Sequence, residues 1–278
     1  IKDGPLAELP FSLLKVPGGQ WLVETHAITT AISASSLVVA RRQVRASRAP
    51  KPFFGIGHPI AVARPHQQSA TIEQTLGIKL STRGLADLAE LPEAGTELKA
   101  FATAFGSGLD ALLMRDSATP KRVRETPLSD YRVISFATHA LLPGQHMLSN
   151  EASIVLSPPA GSSDPAAALL TSSDIAGLKL DADVVILSAC NTAAGNDALG
   201  GDRLGGLARA FFTAGARSVV VTHWAVHSAA TQNLMTRFAS HYKTSPNASA
   251  ALRAAMLGTI KDANYSHPYF WAAFDIVG

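Results

Sequence analysis

The 278-residue sequence predicts an α/β fold, a doubly wound and mainly parallel sheet flanked by helices, with a smaller β-containing lobe at the N-terminal side. Three observations carry this expectation. Short β-branched runs, such as those in Asp183–Thr192 (DVVILSACNT) and Arg217–Thr222, have the length and composition of strands buried on both faces. Stretches with apolar residues at helical spacing stand between these runs, and a βαβαβ alternation is the mark of a parallel sheet. With 47% hydrophobic and 16% charged residues, the chain has enough apolar material for a sizeable core.

Residues 1–52 are expected to form a β-rich lobe and residues 53–278 the α/β core of the same module. In the lobe, Pro17-Gly18-Gly19 reads as a turn and Trp21–Ile28 alternates behind it, so a hairpin is expected. Phe53–Gly57 is a short strand stopped by His58-Pro59. Its GxG lacks the rest of the GxGxxG fingerprint and implies no dinucleotide site. Ala61–Leu91 reads as an irregular insertion, with some helix near Leu85–Glu90. Glu93–Phe105 places Leu98, Phe101, Ala102 and Phe105 on one helical stripe, closed by Gly106, and should cross over the sheet.

Leu109–Met114 follows as a strand, and Ala118–Arg124 as a helix opened by Thr119-Pro120. Tyr131–His139 is the next strand. Glu151–Ser157 is a shorter one that could form a hairpin at the sheet's rim, before the Pro/Gly/Ser-rich loop Ser157–Pro165. Thr171–Leu178 reads as a short helix capped by Ser172 or Ser173. Beyond Asp183–Leu187, a stripe of Leu204, Leu207, Phe211 and Ala214 makes Asp202–Ala214 a helix ended by Gly215. Arg217–Thr222, helices over Ser228–Tyr242 and Ala248–Lys261, and a closing strand over Phe270–Val277 complete the alternation. No repeat of solenoid period is present.

Two strands end on reactive residue types. Asp183–Leu187 runs into Cys190, the single cysteine of the chain. Open α/β sheets meet their ligands at the carboxyl ends of the strands, which would put Cys190 at a working rim. A free cysteine is as often a small buried hydrophobe, and this strand alone does not choose between the two. Tyr131–His139 ends on a histidine, whose ordinary pKa near neutrality suits it to manage a thiol's proton. The histidine comes first, and its distance from Ala189-Cys190 fits the order and spacing of the caspase dyad. Ser188 stands where caspases carry glutamine.

Several classes of function are set aside. A single cysteine rules out an internal disulfide framework and fits a reducing compartment, so a cytoplasmic setting is expected. No stretch approaches the roughly 18 apolar residues of a membrane span. The formal charge is only +3, and the basic clusters Arg41–Arg48 and Lys121–Arg124 lack interleaved aromatics, so no direct nucleic-acid partner is expected. His223 and His227 stand four apart, but a strand end at His223 spoils the helical geometry of a metal pair; neither metal nor cofactor is expected. The chain opens on Ile1-Lys2-Asp3 without an initiator methionine and reads as part of a longer polypeptide.

The strings DGPLAELPF (Asp3–Phe11), FGIGHP (Phe54–Pro59), FATHA (Phe136–Ala140), LLTSSDIAGLKL (Leu169–Leu180), VVILSACNTA (Val184–Ala193), GLARAFFTAGARSVVVTHW (Gly206–Trp224) and HPYFWAAFDIVG (His267–Gly278) occur in this order. Together they resemble the CHAT domain, a caspase-like peptidase module found beside tetratricopeptide repeats, and more distantly separases and caspases. The resemblance implies a cysteine endopeptidase with Cys190 as nucleophile, His139 as acid and base, and a thioester acyl-enzyme. It also implies an oxyanion hole made by the backbone amides of Ala140 and Cys190. The family has glycine after the histidine; if that position is left-handed, the methyl of Ala140 costs about 1 kcal/mol. A substrate pocket is expected around Ser188, Trp224 and His227, with Asp197 and Asp202 on the adjoining loop. This chain reads HWAVHS (His223–Ser228) where the family usually reads LWPVDD. Two acids are lost, so a neutral or apolar side chain is expected there rather than arginine or lysine, unless Asp197 and Asp202 restore acidity from the adjoining loop.

The implied partners are a protein or peptide substrate and an N-terminal tetratricopeptide or other regulatory region. Two alternatives stay open. One is a catalytically silent scaffold for protein interaction. The other is a phosphate or nucleotide binder, with Gly195, Gly200 and Gly201 ahead of the helix at Asp202.

Overall fold

Alternate residues of each central strand serve two different cores, which is why these strands read as unbroken apolar runs. A computed structural model describes residues 9–31, 33, 46–60, 85, 88, 91–141, 143, 150–162, 164–188, 205–224, 226 and 228–278. The strands among them are β1 (Lys51–Gly57), β2 (Leu112–Met114), β3 (Tyr131–Ala137), β4 (Ala140–Leu141), β5 (Ser153–Val155), β6 (Leu169–Thr171), β7 (Val184–Leu187), β8 (Ser218–Thr222) and β9 (Phe274–Val277). Six of them form one sheet in the order β2-β1-β3-β7-β8-β9, and the other three form a small sheet in the order β4-β5-β6. Every pairing in the large sheet is parallel except that of β8 with β9. The expected doubly wound, mainly parallel sheet is therefore present.

On one face Phe53, Val133, Val184, Ile186 and Val220 join a core closed by the helices Pro92–Phe105, Ser228–Thr244 and Ala248–Ile260. On the other, Ile56, Phe136, Val185, Leu187 and Val221 meet Phe211 and Leu207 of the helix Gly205–Ala214, together with Ile175 of Ser172–Ala176. Phe53 stacks on Phe105 at 5.2 Å between ring centres, and Phe136 packs on Phe211 at 5.3 Å. The helix Pro92–Phe105 starts with proline at its first turn, where the missing N–H is harmless, and stops at Gly106 with φ 79°. Gly57 is needed for a different reason: a Cβ there would lie 2.1 Å from the Ala137 carbonyl oxygen. β1 and β3 could not keep their approach with any larger residue.

The amino ends of β7 and β8 are tied by a polar network. Arg217 reaches Asp181 at 2.6 Å and Asp183 at 3.8 Å, and the Tyr242 hydroxyl donates to Asp183 at 3.0 Å. The Ser47 backbone N–H donates to the same Asp183 carboxylate at 2.8 Å. Burial and the Asp183 charge both push the Tyr242 phenol well above its usual range, so it stays a donor. At the far edge, Thr30 N–H donates to Ile276 O at 2.8 Å and Gly278 N–H to Thr30 O at 3.0 Å, joining the N-terminal segment to β9.

Several expected boundaries shift for local reasons. Trp21–Ile28 is not a strand: after a single bridge between Lys15 and Trp21, residues Leu22–Thr25 are helical. The Glu24 carboxylate accepts the Trp21 N–H at 2.6 Å and so closes a helical turn that alternation does not reveal. Phe270–Val277 is likewise not one strand. His267 caps a turn over Pro268–Trp271, which buries Trp271 completely, and only Phe274–Val277 pairs with β8. Leu109–Ala111 is a 3-10 turn ahead of β2, with Leu109 66% exposed. Thr171, not Ser172 or Ser173, caps the helix Ser172–Ala176: its hydroxyl accepts the Asp174 N–H at 3.1 Å while Asp174 accepts the Thr171 N–H at 3.1 Å. Glu151–Ser157 contributes β5 to the separate antiparallel sheet. Among the described residues no helix is long and apolar enough to cross a membrane.

Truncating Phe53 to alanine empties a fully buried site lined by two other phenylalanines, and should cost about 3–5 kcal/mol of unfolding free energy. Leu109→Ala, at an exposed turn, should stay within about 0.5 kcal/mol of the parent. Urea unfolding followed by tryptophan fluorescence measures both.

Candidate active site

β3 and β7 are parallel neighbours whose last paired residues are Phe136 and Leu187. Each chain then leaves the sheet at its carboxyl end. The Ser188 N–H donates to Phe136 O at 2.9 Å, continuing the ladder one step past β7. On the other strand, Ala137 accepts from His58 N–H at 3.0 Å. Thr138 and His139 follow, both buried.

His139 is held by the small sheet. Its carbonyl accepts the Val155 N–H at 2.9 Å, and the Thr138 hydroxyl donates to the Val155 carbonyl. Ala140 then pairs with Ile154 as the first residue of β4. The histidine therefore sits where the large sheet hands the chain to the small one, and is 4% exposed. Ala140 is extended, not left-handed; the positive-φ non-glycine residues among those described are His58 and Arg115. Its methyl group consequently carries no left-handed strain.

A cavity of about 330 Å³ opens beside these strand ends. Thr138, His139 and Ser188 line it from the sheet, with Ser228 and Val226 from the segment after β8. Its opposite wall is the start of the helix Pro92–Phe105, which presents Glu93 and Glu97. Of the residues expected at the site, His139 and Ser188 are thus brought together. Trp224 does not line the cavity: its indole N–H donates to Tyr269 O at 3.0 Å and its ring stacks on Tyr269. His223 lies 3.5 Å from Asp275. Cys190, Asp197, Asp202 and His227 fall outside the described residues, as do Gly195, Gly200 and Gly201.

Glu97 is the residue that apolar periodicity hides. It stands three after Ala94 and four before Phe101, which places it on the buried stripe rather than the solvent face, and a glutamate there is the available signal. It is 7% exposed, and its Oε1 has no hydrogen-bond partner among the described residues. Burial pushes its pKa up to about 7; the Ser188 hydroxyl works against this and the Glu93 charge adds to it. Glu93 is exposed at the cavity's edge and accepts a hydrogen bond from Ser228.

The family model described as the CHAT domain matches residues 1–278. Tetratricopeptide repeat protein 28 of Mus musculus is 37% identical over 110 residues, which is 40% of this chain and 4% of that protein. The Homo sapiens protein of the same name is 34% identical over 110 residues, with the same shares. The chain therefore corresponds to a small part of the length of these curated relatives. Among solved structures, the Arg specific cysteine proteinase gingipain R gives a TM-score of 0.44 at 7% identity, covering 89% of this chain and 52% of that one.

Glu97 makes stability depend on pH in a definite direction. Its pKa is raised on folding from 4.5 to about 7, so the folded state holds a proton that the unfolded state releases first. No stability is lost below about pH 4.5; the loss grows as pH rises and is complete above about pH 7. At about 1.4 kcal/mol per pH unit between the two pKa values, it amounts to roughly 3 kcal/mol. Glu97→Gln removes this dependence. Chemical unfolding at pH 5 and pH 8 should show the variant gaining on the parent by roughly 2–3 kcal/mol at the higher pH.

Proposed function

The chain belongs to the CHAT domain family, and on that premise we propose that it is a cysteine endopeptidase using His139 and Cys190. The observation that carries this reading is the pairing of β3 with β7. Cys190 follows Leu187 in the sequence by the same interval that separates His139 from Phe136, and Phe136 and Leu187 are register partners on adjacent parallel strands. A histidine and a thiol so related fit the nucleophile-and-base arrangement of covalent catalysis.

The reaction then runs in two halves. The Cys190 thiol gives its proton to His139 as the sulfur bonds to the scissile carbonyl carbon, and the carbonyl electron pair moves onto oxygen. Collapse breaks the C–N bond, the amine leaves with the proton held by His139, and a thioester remains. Water loses a proton to His139 as it adds to the thioester carbon. The thiolate departs and is reprotonated, which frees the carboxylic acid product. Backbone amides at Ala140 and Cys190 serve the oxyanion; the extended conformation of Ala140 is compatible with that role.

The fixed position of His139 suits a base that must be pre-aligned, since its carbonyl accepts the Val155 N–H and the hydroxyl of the preceding Thr138 donates to the Val155 carbonyl. A tetratricopeptide region elsewhere in the full-length protein is proposed as its regulator, by analogy with the name of the relatives from mouse and man. The rival reading is a silent scaffold.

A peptidyl acyloxymethyl ketone and iodoacetamide, applied to the parent, His139→Ala and Cys190→Ser, separate the two. The peptidyl reagent should modify Cys190 in the parent, roughly 10²–10⁴-fold more slowly in His139→Ala, and not at all in Cys190→Ser. Equal and slow modification by both reagents, with or without His139, would mark an ordinary thiol and leave the scaffold.

A further inference from the structure

The cavity beside His139 is chemically lopsided. Two carboxylates enter it from one helix, at Glu93 and Glu97, one turn apart and on the same face. Like charges at this spacing repel, and one of the two is buried with an oxygen that has no hydrogen-bond partner among the described residues. Thr222, on the cavity's sheet side, has a buried hydroxyl in the same condition. Among the described residues that line this cavity there is no lysine or arginine. One carboxylate oxygen at the base thus lacks a donor, and no fixed positive charge on the described lining offsets the pair.

Resting on the peptidase reading above, we propose that this cavity receives the substrate side chain that precedes the scissile bond, and that it selects a cationic one, arginine or lysine. Glu97 is the carboxylate at the base and Glu93 the one at the mouth. The placement follows from the walls. Ser188, just ahead of Ala189-Cys190 in sequence, and His139 form one side of the cavity. A peptide held for attack at these strand ends presents its adjoining side chain to that space. The volume of about 330 Å³ lies at the low end of the roughly 300–1,000 Å³ of small-ligand clefts, which suits one extended side chain.

A single cation relieves three unfavourable terms together. It offsets the Glu93–Glu97 repulsion, supplies donors to the unpartnered Glu97 oxygen and the Thr222 hydroxyl, and stabilises the ionised form that burial alone disfavours. A neutral apolar side chain relieves none of them, and a neutral donor such as citrulline relieves only the hydrogen-bonding one. An acidic one adds a third negative charge. The preference is the reverse of that expected from the HWAVHS segment, because the acids come from a different element, the helix on the facing wall. Glu93 and Glu97 are specificity-determining residues in this scheme, and the bond chemistry stays with His139 and Cys190.

The test uses four peptidyl acyloxymethyl ketones that differ only in the residue next to the reactive group: arginine, lysine, citrulline and leucine. In the parent, the arginine and lysine reagents should modify Cys190 roughly tenfold to hundredfold faster than citrulline, which keeps the shape of arginine and lacks its charge. In Glu97→Gln that ratio should fall to near one while the leucine rate holds or rises; in Glu93→Gln, whose exposed carboxylate is screened by water, it should fall only a few-fold. Leucine or citrulline leading in the parent, with His139-dependent modification intact, overturns the cationic pocket and leaves the peptidase standing. So does an arginine preference that survives Glu97→Gln. If no peptidyl reagent shows His139-dependent modification, the peptidase reading has failed, and heat unfolding with ethylguanidinium then decides the pocket alone. Stabilisation at pH 8 that vanishes in Glu97→Gln upholds it as a cation site, and no stabilisation overturns it.

Discussion

The parallel pairing of β3 with β7, sealed by apolar side chains on both faces, is the constraint on which the rest of the molecule depends. Ladder hydrogen bonds alone would leave the two strands free to slip. Here Val133 and Val184 lock into one core while Phe136 and Leu187 lock into the other, so a slip by one residue would turn every side chain to the wrong face. The polar network of Asp181, Asp183, Arg217 and Tyr242 adds a second restraint, at the amino ends of β7 and its other neighbour β8. Position at the carboxyl ends, where His139 and Ser188 emerge, is set by these two restraints.

Much of this architecture is written in the period of the sequence. Runs such as VVIL in β7 and SVVVT in β8 have no polar face because helices cover both sides of the sheet, and that alone identifies a parallel core. The helix Pro92–Phe105 is legible from Leu98, Phe101 and Phe105, and from the glycine that ends it. Less legible are the segments whose conformation is decided by one side-chain hydrogen bond. Glu24 on the Trp21 N–H makes a helical turn out of an alternating string, and His267 on the Tyr269 N–H does the same ahead of β9. Such bonds are local competitors of the strand, and apolar alternation carries no trace of them.

The candidate site shows the same division. His139 is legible because a buried strand that ends on histidine is an uncommon string, and the structure puts that residue at a sheet junction beside a cavity. Ser188 is legible from its place ahead of the cysteine. The acidic wall is not, because Glu93 and Glu97 belong to an element whose apolar stripe explains it fully as a packing helix. Only the folded arrangement brings that helix across from β3 and β7. The place of Trp224 in the segment after β8 points to the pocket, whereas its polar tip and ring face both find Tyr269.

The junction of Thr30 with β9 bears on how the chain assembles during synthesis. The strand over Phe274–Val277 is made long after Thr30, and each supplies hydrogen bonds to the other, while β8 also takes its outer partner from that same strand. Until Phe274–Val277 has been made, β8 is a bare edge and the segment around Thr30 has nothing to dock on. Contacts that span so much of the chain form late, since the intervening loop must first be closed. The sheet thus stays one strand short until Phe274–Val277 has been made, and the segment around Thr30 finds its partner only then.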